Sequence, residues 1–295
     1  MAVILSFLVI LIIPCSGQNL DNSLLWKISG KGLKKPSYLF GTFHLLNDAY
    51  LPAKLPEVLQ IFGKADGIVV EMVIDSPSLT KARAHMLMFD KKLSALLDSN
   101  AYRLLAVEVQ QTLGLDLSAF EHIKPAALSM ILSLKYVQTS QADHLQYSGR
   151  PLDVFFADEG KRNGKTIHAF ETQEEQMQLL LTRLTPEVQA VQLMEMVTFK
   201  EKTQEIQERI TENYLQQNLQ AIYDLSREIE KEMALSAVDA EAMITGRNRK
   251  WAAKLPALLE KGTQFIAVGA LHLPGPDGLI ELLRNQGYTV TAVQP

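Results

Sequence analysis

Two histidines in this chain follow the same kind of local sequence. His44 ends the segment YLFGTFH (38–44) and His272 ends FIAVGALH (265–272), so each histidine stands three residues after a glycine that follows an apolar run. Apolar runs of this length predict buried strands. An imidazole placed where a buried strand ends can serve as a general acid, a general base or a metal ligand. The repeat therefore indicates a site built from the ends of two strands.

Two glutamates occupy comparable positions. Glu71 lies in the apolar run GIVVEMV (67–73), and Glu171 follows a second apolar run. Burying a carboxylate among apolar side chains is costly unless it is paired or bound to a metal ion, so Glu71 predicts a partner. The alternatives are a solvent-facing Glu71 and a Glu171 that stands just outside a helix capped by Thr172. Because ligands of open α/β sheets bind outside the carboxyl ends of the strands, all four side chains are expected at one edge.

Two imidazoles and two carboxylates allow two chemistries. They suit a divalent metal ion, and they equally suit general acid–base catalysis without a metal. The single cysteine, Cys15, lies in the N-terminal apolar run, so any metal in the mature protein would be held by His, Asp and Glu side chains. The spacing alone leaves both chemistries open.

Glycines and an arginine complete the set of candidates. Gly41 and Gly269 have no Cβ, so a neighbouring backbone or a bound cofactor could approach closely there, with tight packing as the alternative. Arg247 and Asn248 lie in the segment ITGRNRKW, where an arginine could bind a carboxylate or carbonyl oxygen of a substrate. An exposed surface arginine is the alternative. Four other histidines lack a strand-end context and are assigned structural roles: His85, His122, His144 and His168.

The first 17 residues, MAVILSFLVILIIPCSG, predict a signal peptide. The apolar run is shorter than the roughly 20 residues of a membrane-spanning helix, and small residues precede a cleavage point before Gln18. A basic n-region is missing, and Pro14 fits poorly with a lipid anchor on Cys15. We expect export to the bacterial periplasm, envelope or exterior, with membrane association only through the signal peptide or a lipid anchor. A cytosolic protein with a buried first strand is the alternative.

Apolar runs that alternate with helical patterns predict an α/β fold with a mostly parallel central sheet flanked by helices. We expect residues 18–295 to form a single domain, with helical insertions at about 79–138 and 173–260. The chain is 47% hydrophobic and 21% charged, as in folded globular proteins, and its net charge of −4 argues against a nucleic-acid partner. The predicted strands are 24–30, 37–43, 67–73, 166–172, 264–271 and 288–293.

The chain resembles the TraB/GumN family, whose animal relatives are the Tiki proteases. Six segments, in the order of the family, carry this resemblance: LFGTFHLL, VVEMV, PLDVFFADEGKRNGK, AFET, GRNRKW and FIAVGALHLPGPDGLIELLRNQGYTV. It implies an α/β core shared with the erythromycin esterases and the haem-binding ChaN proteins. It also implies metal-dependent proteolysis that uses both Gly-x-x-His motifs and a glutamate. By position, His44 and His272 match the paired histidines, Glu71 matches the acidic partner, and Glu171, Arg247 and Asn248 fall in other matching segments.

These observations together predict an exported metal-dependent hydrolase, a peptidase that acts on a peptide or small-molecule substrate. An ion such as Mn²⁺, Co²⁺ or Zn²⁺ at His44, Glu71 and His272 would polarise the scissile carbonyl and activate water. Glu171 or the second histidine would then move a proton, and Arg247 would hold the substrate or the developing oxyanion.

Two alternatives come from other classes of protein. The first is a haem- or iron-binding envelope protein without catalytic activity, with Tyr147 or a methionine near the metal. The second is a non-enzymatic interaction module built on the helices of 173–260. The first would use the same histidines and predicts haem binding that is lost when His44 is changed, whereas the second predicts no loss of function in His44→Ala.

Overall fold

The computed structural model describes residues 22–74, 84–139, 147–232 and 241–293. Six strands in these ranges form one sheet in the order β4–β3–β5–β2–β1–β6. Strands β4, β3, β5 and β2 are mutually parallel, and β1 is antiparallel to both β2 and β6. The predicted α/β class with a mostly parallel sheet is therefore confirmed. The strands are β1 (Leu25–Ser29), β2 (Ser37–Thr42), β3 (Gly67–Val70), β4 (Thr166–Ala169), β5 (Gln264–Gly269) and β6 (Thr289–Ala292).

Helices connect the strands and form an additional layer. Several begin at residues that the sequence marks as caps: Thr172 and Glu175 form a capping box, and Thr185 with Pro186 opens another helix. Among the described residues, no helix is long and apolar enough to cross a membrane. The helices are α1 (Tyr50–Lys54), α2 (Pro56–Lys64), α3 (Ser99–Leu113), α4 (Pro125–Thr139), α5 (Leu152–Arg162), α6 (Gln173–Leu181), α7 (Pro186–Thr198), α8 (Lys200–Leu215), α9 (Leu219–Glu232), α10 (Gly246–Leu259) and α11 (Leu279–Asn285).

Two separate hydrophobic cores hold these elements. The larger core surrounds the sheet and includes an aromatic cluster in which the rings of Phe40 and Phe62 each contact those of Phe156 and Phe265, and Phe156 contacts Phe265, with ring centroids 5.0–6.0 Å apart. The smaller core joins α3, α4 and α7 through residues such as Leu105, Leu128 and Leu193. The helices of the predicted insertions therefore pack partly on one another and partly on the sheet.

The structure corrects several boundaries. The runs at 67–73, 166–172 and 264–271 end as strands at Val70, Ala169 and Gly269, because the chain then leaves the sheet to place side chains in the site described below. Strand β4 is partly exposed rather than buried, since it forms an edge of the sheet. The predicted helical insertion at about 173–260 consists of several helices, and two of them, α8 and α9, are separated at Gln217, which has a left-handed φ of 56°. The predicted signal peptide, Cys15 and His144 lie outside the described residues.

A substitution at Gly41 tests how tightly the end of β2 packs on the segment after β5. A Cβ at Gly41 would lie 3.0 Å from the Ala270 Cα and 3.3 Å from the Leu273 Cδ2, whereas a Cβ at Gly63 would meet nothing within 4 Å. We expect Gly41→Ala to lower the free energy of unfolding by about 1–3 kcal/mol, as overpacking does. Gly63→Ala, near the end of α2, should leave it unchanged or raise it slightly. Urea unfolding of both variants measures this, and equal stabilities would contradict the packing argument.

Candidate functional site

The four predicted strand-end residues lie at one edge of the sheet. His44 and His272 follow β2 and β5, which are parallel neighbours with Thr42 opposite Gly269. Glu71 follows β3 on the other side of β5, and the Glu71 carbonyl oxygen accepts a bond of 2.9 Å from the N–H of Glu171 after β4. The predicted placement of both histidines at neighbouring strand ends is therefore confirmed. The carboxyl ends of parallel strands meet at one edge, which brings residues far apart in sequence together.

Arg247 links three of these strand ends. Its Nη2 lies 2.7 Å from Glu71 Oε2, its Nε lies 2.9 Å from Glu171 Oε1, and its Nη1 lies 3.2 Å from His272 Nε2. The guanidinium also lies 4.5 Å from the centroid of the Trp251 ring, and the Arg247 side chain is 11% exposed. A buried guanidinium needs such partners, because an unpaired charge in this position would be strongly unfavourable.

Glu71 is held as an anion. Its Oε1 accepts a 2.8 Å hydrogen bond from the Gly269 N–H, and its Oε2 accepts from Gln176 as well as from Arg247. Burial by itself raises the pKa of Glu71, but the interactions with His272 and Arg247 and the bond from the Gly269 N–H outweigh it and hold the pKa below its usual range. Gly269 thus contributes its backbone N–H to the site. This is the close approach that the absence of a Cβ at a glycine allows.

His272 is held as a neutral imidazole with a defined tautomer. Asn248 Nδ2 donates to the backbone oxygens of His272 and Asp277, so Asn248 Oδ1 must accept the 2.6 Å bond from His272 Nδ1–H. The Nε2 atom is therefore the unprotonated nitrogen, and it accepts from Arg247. Burial lowers the pKa of His272 to about 4, and the nearby Arg247 charge acts in the same direction while Glu71 opposes it. His272 is 4% exposed and uncharged at neutral pH.

His44 has the opposite electrostatic setting. Its side chain is 72% exposed, and its Nδ1 lies 2.5 Å from Asp153 Oδ2. The hydrogen bond to Asp153 and the charge of this carboxylate raise the pKa of His44 to about 9, so the imidazole is protonated at neutral pH. Thr42 Oγ1 donates to the other oxygen of Asp153. The two Gly-x-x-His motifs therefore supply one charged and one neutral imidazole.

Asp153 is a site residue that the sequence reasoning missed. It lies in the first turn of α5, where the positive end of the helix dipole favours a carboxylate, and its pKa is held below the usual range despite burial by the bond to His44. The segment PLDVFFADEGKRNGK carried part of the family resemblance, so its acidic residue two positions after Pro151 was an available signal. Only the tertiary structure shows that Asp153 faces His44.

A cavity of about 230 Å³ opens beside this cluster. His44, Glu71, Asp153 and Gln176 provide polar groups, and Asp158 adds another carboxylate. Glu171, Arg247, Asn248 and His272 are not among the lining residues and stand behind Glu71. The Gly41 backbone packs against Ala270 and Leu273, so the predicted close approach there is made by the protein itself. The apolar wall consists of Val70, Met72, Ile74, Pro151, Val154, Ala157 and Ala267.

The fit of this site to a metal ion depends on Arg247. Both histidines bind an acceptor through Nδ1, as metal-ligating histidines do, and His272 Nε2 lies 3.7 Å from Glu71 Oε1. The Arg247 guanidinium, however, binds both Glu71 and His272 Nε2 and brings its own positive charge. Within the described residues, no group of three His, Cys, Asp or Glu side chains is arranged to hold a metal ion. The residues as arranged do not fit a metal centre.

Tyr147, the tyrosine suggested for a haem ligand, packs edge-on against Tyr50, with 5.2 Å between the ring centroids. It is not among the residues that line the cavity beside His44. The contacts of Tyr147 therefore give no specific support to a haem site.

Asp153→Asn tests the electrostatic coupling to His44. We expect the pKa of His44 to fall from about 9 toward the ordinary 6.5, because the substitution removes the carboxylate charge. The raised pKa implies that this pair stabilises the fold fully below pH 6.5 and that the contribution is lost as the pH rises through about 9. NMR titration of the His44 ring protons measures the shift, with Asp158→Asn as the control. An unchanged His44 pKa would contradict the assignment.

Two neighbouring arginines allow a matched test of the buried network. We expect Arg247→Met to lower the free energy of unfolding by about 3–5 kcal/mol, because it leaves Glu71 and Glu171 buried without their partner. Arg249→Met, on the same helix, should have little effect, since Arg249 pairs with Glu241 and Asp277 at the exposed surface. Urea unfolding of both variants at neutral pH distinguishes the two, and similar losses would show that Arg247 is not specially placed.

The comparisons with known proteins agree with the resemblance found in the sequence. The family model described as the TraB/PrgY/gumN family matches residues 24–292, which include every strand and the whole of the site described above. No curated protein and no solved structure matches the chain. Because the family model covers most of the sequence, the chain belongs to the TraB/PrgY/gumN family.

Proposed function

We propose that this protein is a hydrolase of amide or ester bonds, acting as a peptidase, in which His44 and Glu71 face the scissile bond from the cavity. One observation carries the proposal: a histidine with a raised pKa and a glutamate with a lowered pKa line the same cavity. Groups whose pKa values are pushed apart in one site are suited to the roles of acid and base. At neutral pH, His44 carries the proton and Glu71 does not.

The proposed reaction uses water as the nucleophile. Glu71 accepts a proton from a water molecule as the water oxygen attacks the carbonyl carbon. His44 donates its Nε2 proton to the leaving nitrogen or oxygen as the bond to carbon breaks. Asp153 holds the ring through Nδ1 and keeps it charged until that transfer. Glu71 then releases its proton to the solvent, and His44 takes up a proton from the solvent, which restores the starting state. Each group in such a pair typically contributes about 10²–10⁴-fold.

The remaining polar residues have positioning roles in this proposal. Arg247 keeps Glu71 ionised and fixes the direction of its carboxylate, while Glu171 and Trp251 hold Arg247 from behind. Trp251 Nε1 also donates a 3.0 Å bond to Glu171 Oε1. We therefore propose that Glu171 and Arg247 act through Glu71 rather than as the proton carrier and substrate clamp that the sequence suggested.

The size of the cavity suits a substrate with a small substituent next to the scissile bond. Its volume of about 230 Å³ is below the roughly 300–1,000 Å³ of pockets that enclose drug-sized ligands. Val154 and Ala157 of α5 line the cavity together with Met72 and Ile74, so this apolar wall suits an aliphatic substituent. We also propose export to the bacterial envelope, supported by the apolar segment at 3–13, which would give the enzyme envelope peptides or small molecules as substrates.

Hydrolysis of a peptide library by the purified protein tests the proposal. We expect kcat/KM to fall by about 10²–10⁴-fold in His44→Gln and in Glu71→Gln, and to change little in His168→Gln. His168 lies on the edge strand β4 and is not among the residues that line the cavity. The rate should fall above about pH 9, as His44 loses its proton, and in acid, as Glu71 gains one. Full activity in either cavity variant would overturn the assignment.

The metal requirement predicted from the family resemblance is tested in the same assay. Activity is measured after dialysis against a chelator and again after addition of Mn²⁺, Co²⁺ or Zn²⁺. The acid–base mechanism proposed here expects no loss on chelation, because Arg247 supplies the positive charge beside Glu71. Activity that is lost with the chelator and restored by one ion would replace it with metal-dependent hydrolysis.

A further inference from the structure

A second cavity lies at the opposite end of the sheet from His44 and Glu71. It is formed by the turn between β1 and β2, the turn before β5, and Tyr288 before β6, all at the amino ends of the parallel strands. Its volume is about 640 Å³, larger than that of the cavity beside His44. We call this cavity, together with its lining residues, the lysine cleft. The lining residues that carry charge are Lys31, Lys34, Lys35, Lys261, Asp66 and Glu260.

The lysine cleft is positively charged although the chain as a whole is not. Four lysines and two carboxylates line it, which leaves a net charge of +2 in a protein whose net charge is −4. Asp66 is engaged by the protein, since its Oδ2 accepts a 2.9 Å bond from the Thr263 N–H and lies 3.9 Å from Lys35 Nζ. Within the described residues, the ammonium groups of Lys34 and Lys261 form no ion pair. Two charges are therefore available to a ligand.

The backbone and an aromatic ring hold part of the cleft in place. Lys31 has a left-handed φ of 47° between Gly30 and Gly32, which have φ values of 82° and 79°. A non-glycine residue in this region is uncommon, and the conformation persists only where its surroundings require it. The Lys31 ammonium lies 4.7 Å from the centroid of the Tyr288 ring, a cation–π contact that fixes this charge at the rim of the cleft.

We propose that the lysine cleft binds a phosphate monoester. Lysine is a common phosphate ligand that acts as a point charge, and the net charge of +2 matches the −1.5 to −2 of a phosphate monoester near neutral pH. Leu33, Pro256 and Leu259 add apolar surface beside the charges, which suits a phosphate carried on an organic group. This chemistry is shared by a soluble phosphate ester and by the headgroup of a phosphomonoester lipid, and it is independent of the hydrolase proposed above.

Two probes distinguish these sources. Binding of glycerol 3-phosphate is measured by titration calorimetry, and binding to phosphatidylcholine vesicles with and without phosphatidic acid is measured by co-sedimentation. We expect at least one probe to bind, with an affinity that falls as salt is added. Binding of glycerol 3-phosphate identifies a soluble ester, and binding only to vesicles that contain phosphatidic acid identifies the lipid headgroup.

A matched pair of variants tests whether the lysine cleft is responsible. The double variant Lys34→Gln, Lys261→Gln should weaken binding by about 25-fold, the product of about fivefold for each lysine. A fivefold loss corresponds to roughly 1 kcal/mol per charge near an anionic surface. Lys92→Gln with Lys250→Gln removes the same charge from exposed positions elsewhere and should have little effect. Thermal unfolding checks that both variants fold. No binding of either probe, or an equal loss in the two variants, would overturn the proposal.

Discussion

The buried guanidinium of Arg247 is the constraint on which the site depends. It bonds to the glutamates that follow β3 and β4 and to the histidine that follows β5, so one side chain joins three strand ends. Each of these groups would be unfavourable in this position without the others, because buried charges need partners. The network therefore belongs to the folding of the sheet edge as much as to the site, and it places Glu71 at the inner end of the cavity.

The two Gly-x-x-His motifs are alike in sequence and different in physical state. His44 is exposed and bonded to a carboxylate, which raises its pKa to about 9, while His272 is buried beside a guanidinium and has its pKa lowered to about 4. A charged and a neutral imidazole cannot have the same function. The first can give a proton to a leaving group, whereas the second supports Arg247 from inside the protein through a lone pair on Nε2.

The two ends of the parallel strands also differ in charge. Carboxylates predominate at the carboxyl ends, where Glu71 and Glu171 meet Arg247, Asp153 meets the charged His44, and Asp158 pairs with Arg150. Lysines predominate at the amino ends, in the lysine cleft. Under the two proposals made above, the carboxyl ends serve a proton transfer to an uncharged substrate, and the amino ends bind an anion. The overall net charge of −4 does not reveal this difference in charge between the two ends of the strands.

The order and type of the core elements could be predicted from the sequence, because the spacing of apolar residues reports which faces are buried. Placement of both histidines and both glutamates at strand ends followed from the same runs. The partner of Glu71 could not be found this way, since Arg247 stands 176 positions along the chain and reaches it only because β3 and β5 are neighbours. For the same reason, only the tertiary structure assigned Asp153 to His44 and Asn248 to His272. Local sequence determines burial and secondary structure, whereas ion pairs and pKa values depend on atoms that the fold brings within a few ångströms of each other.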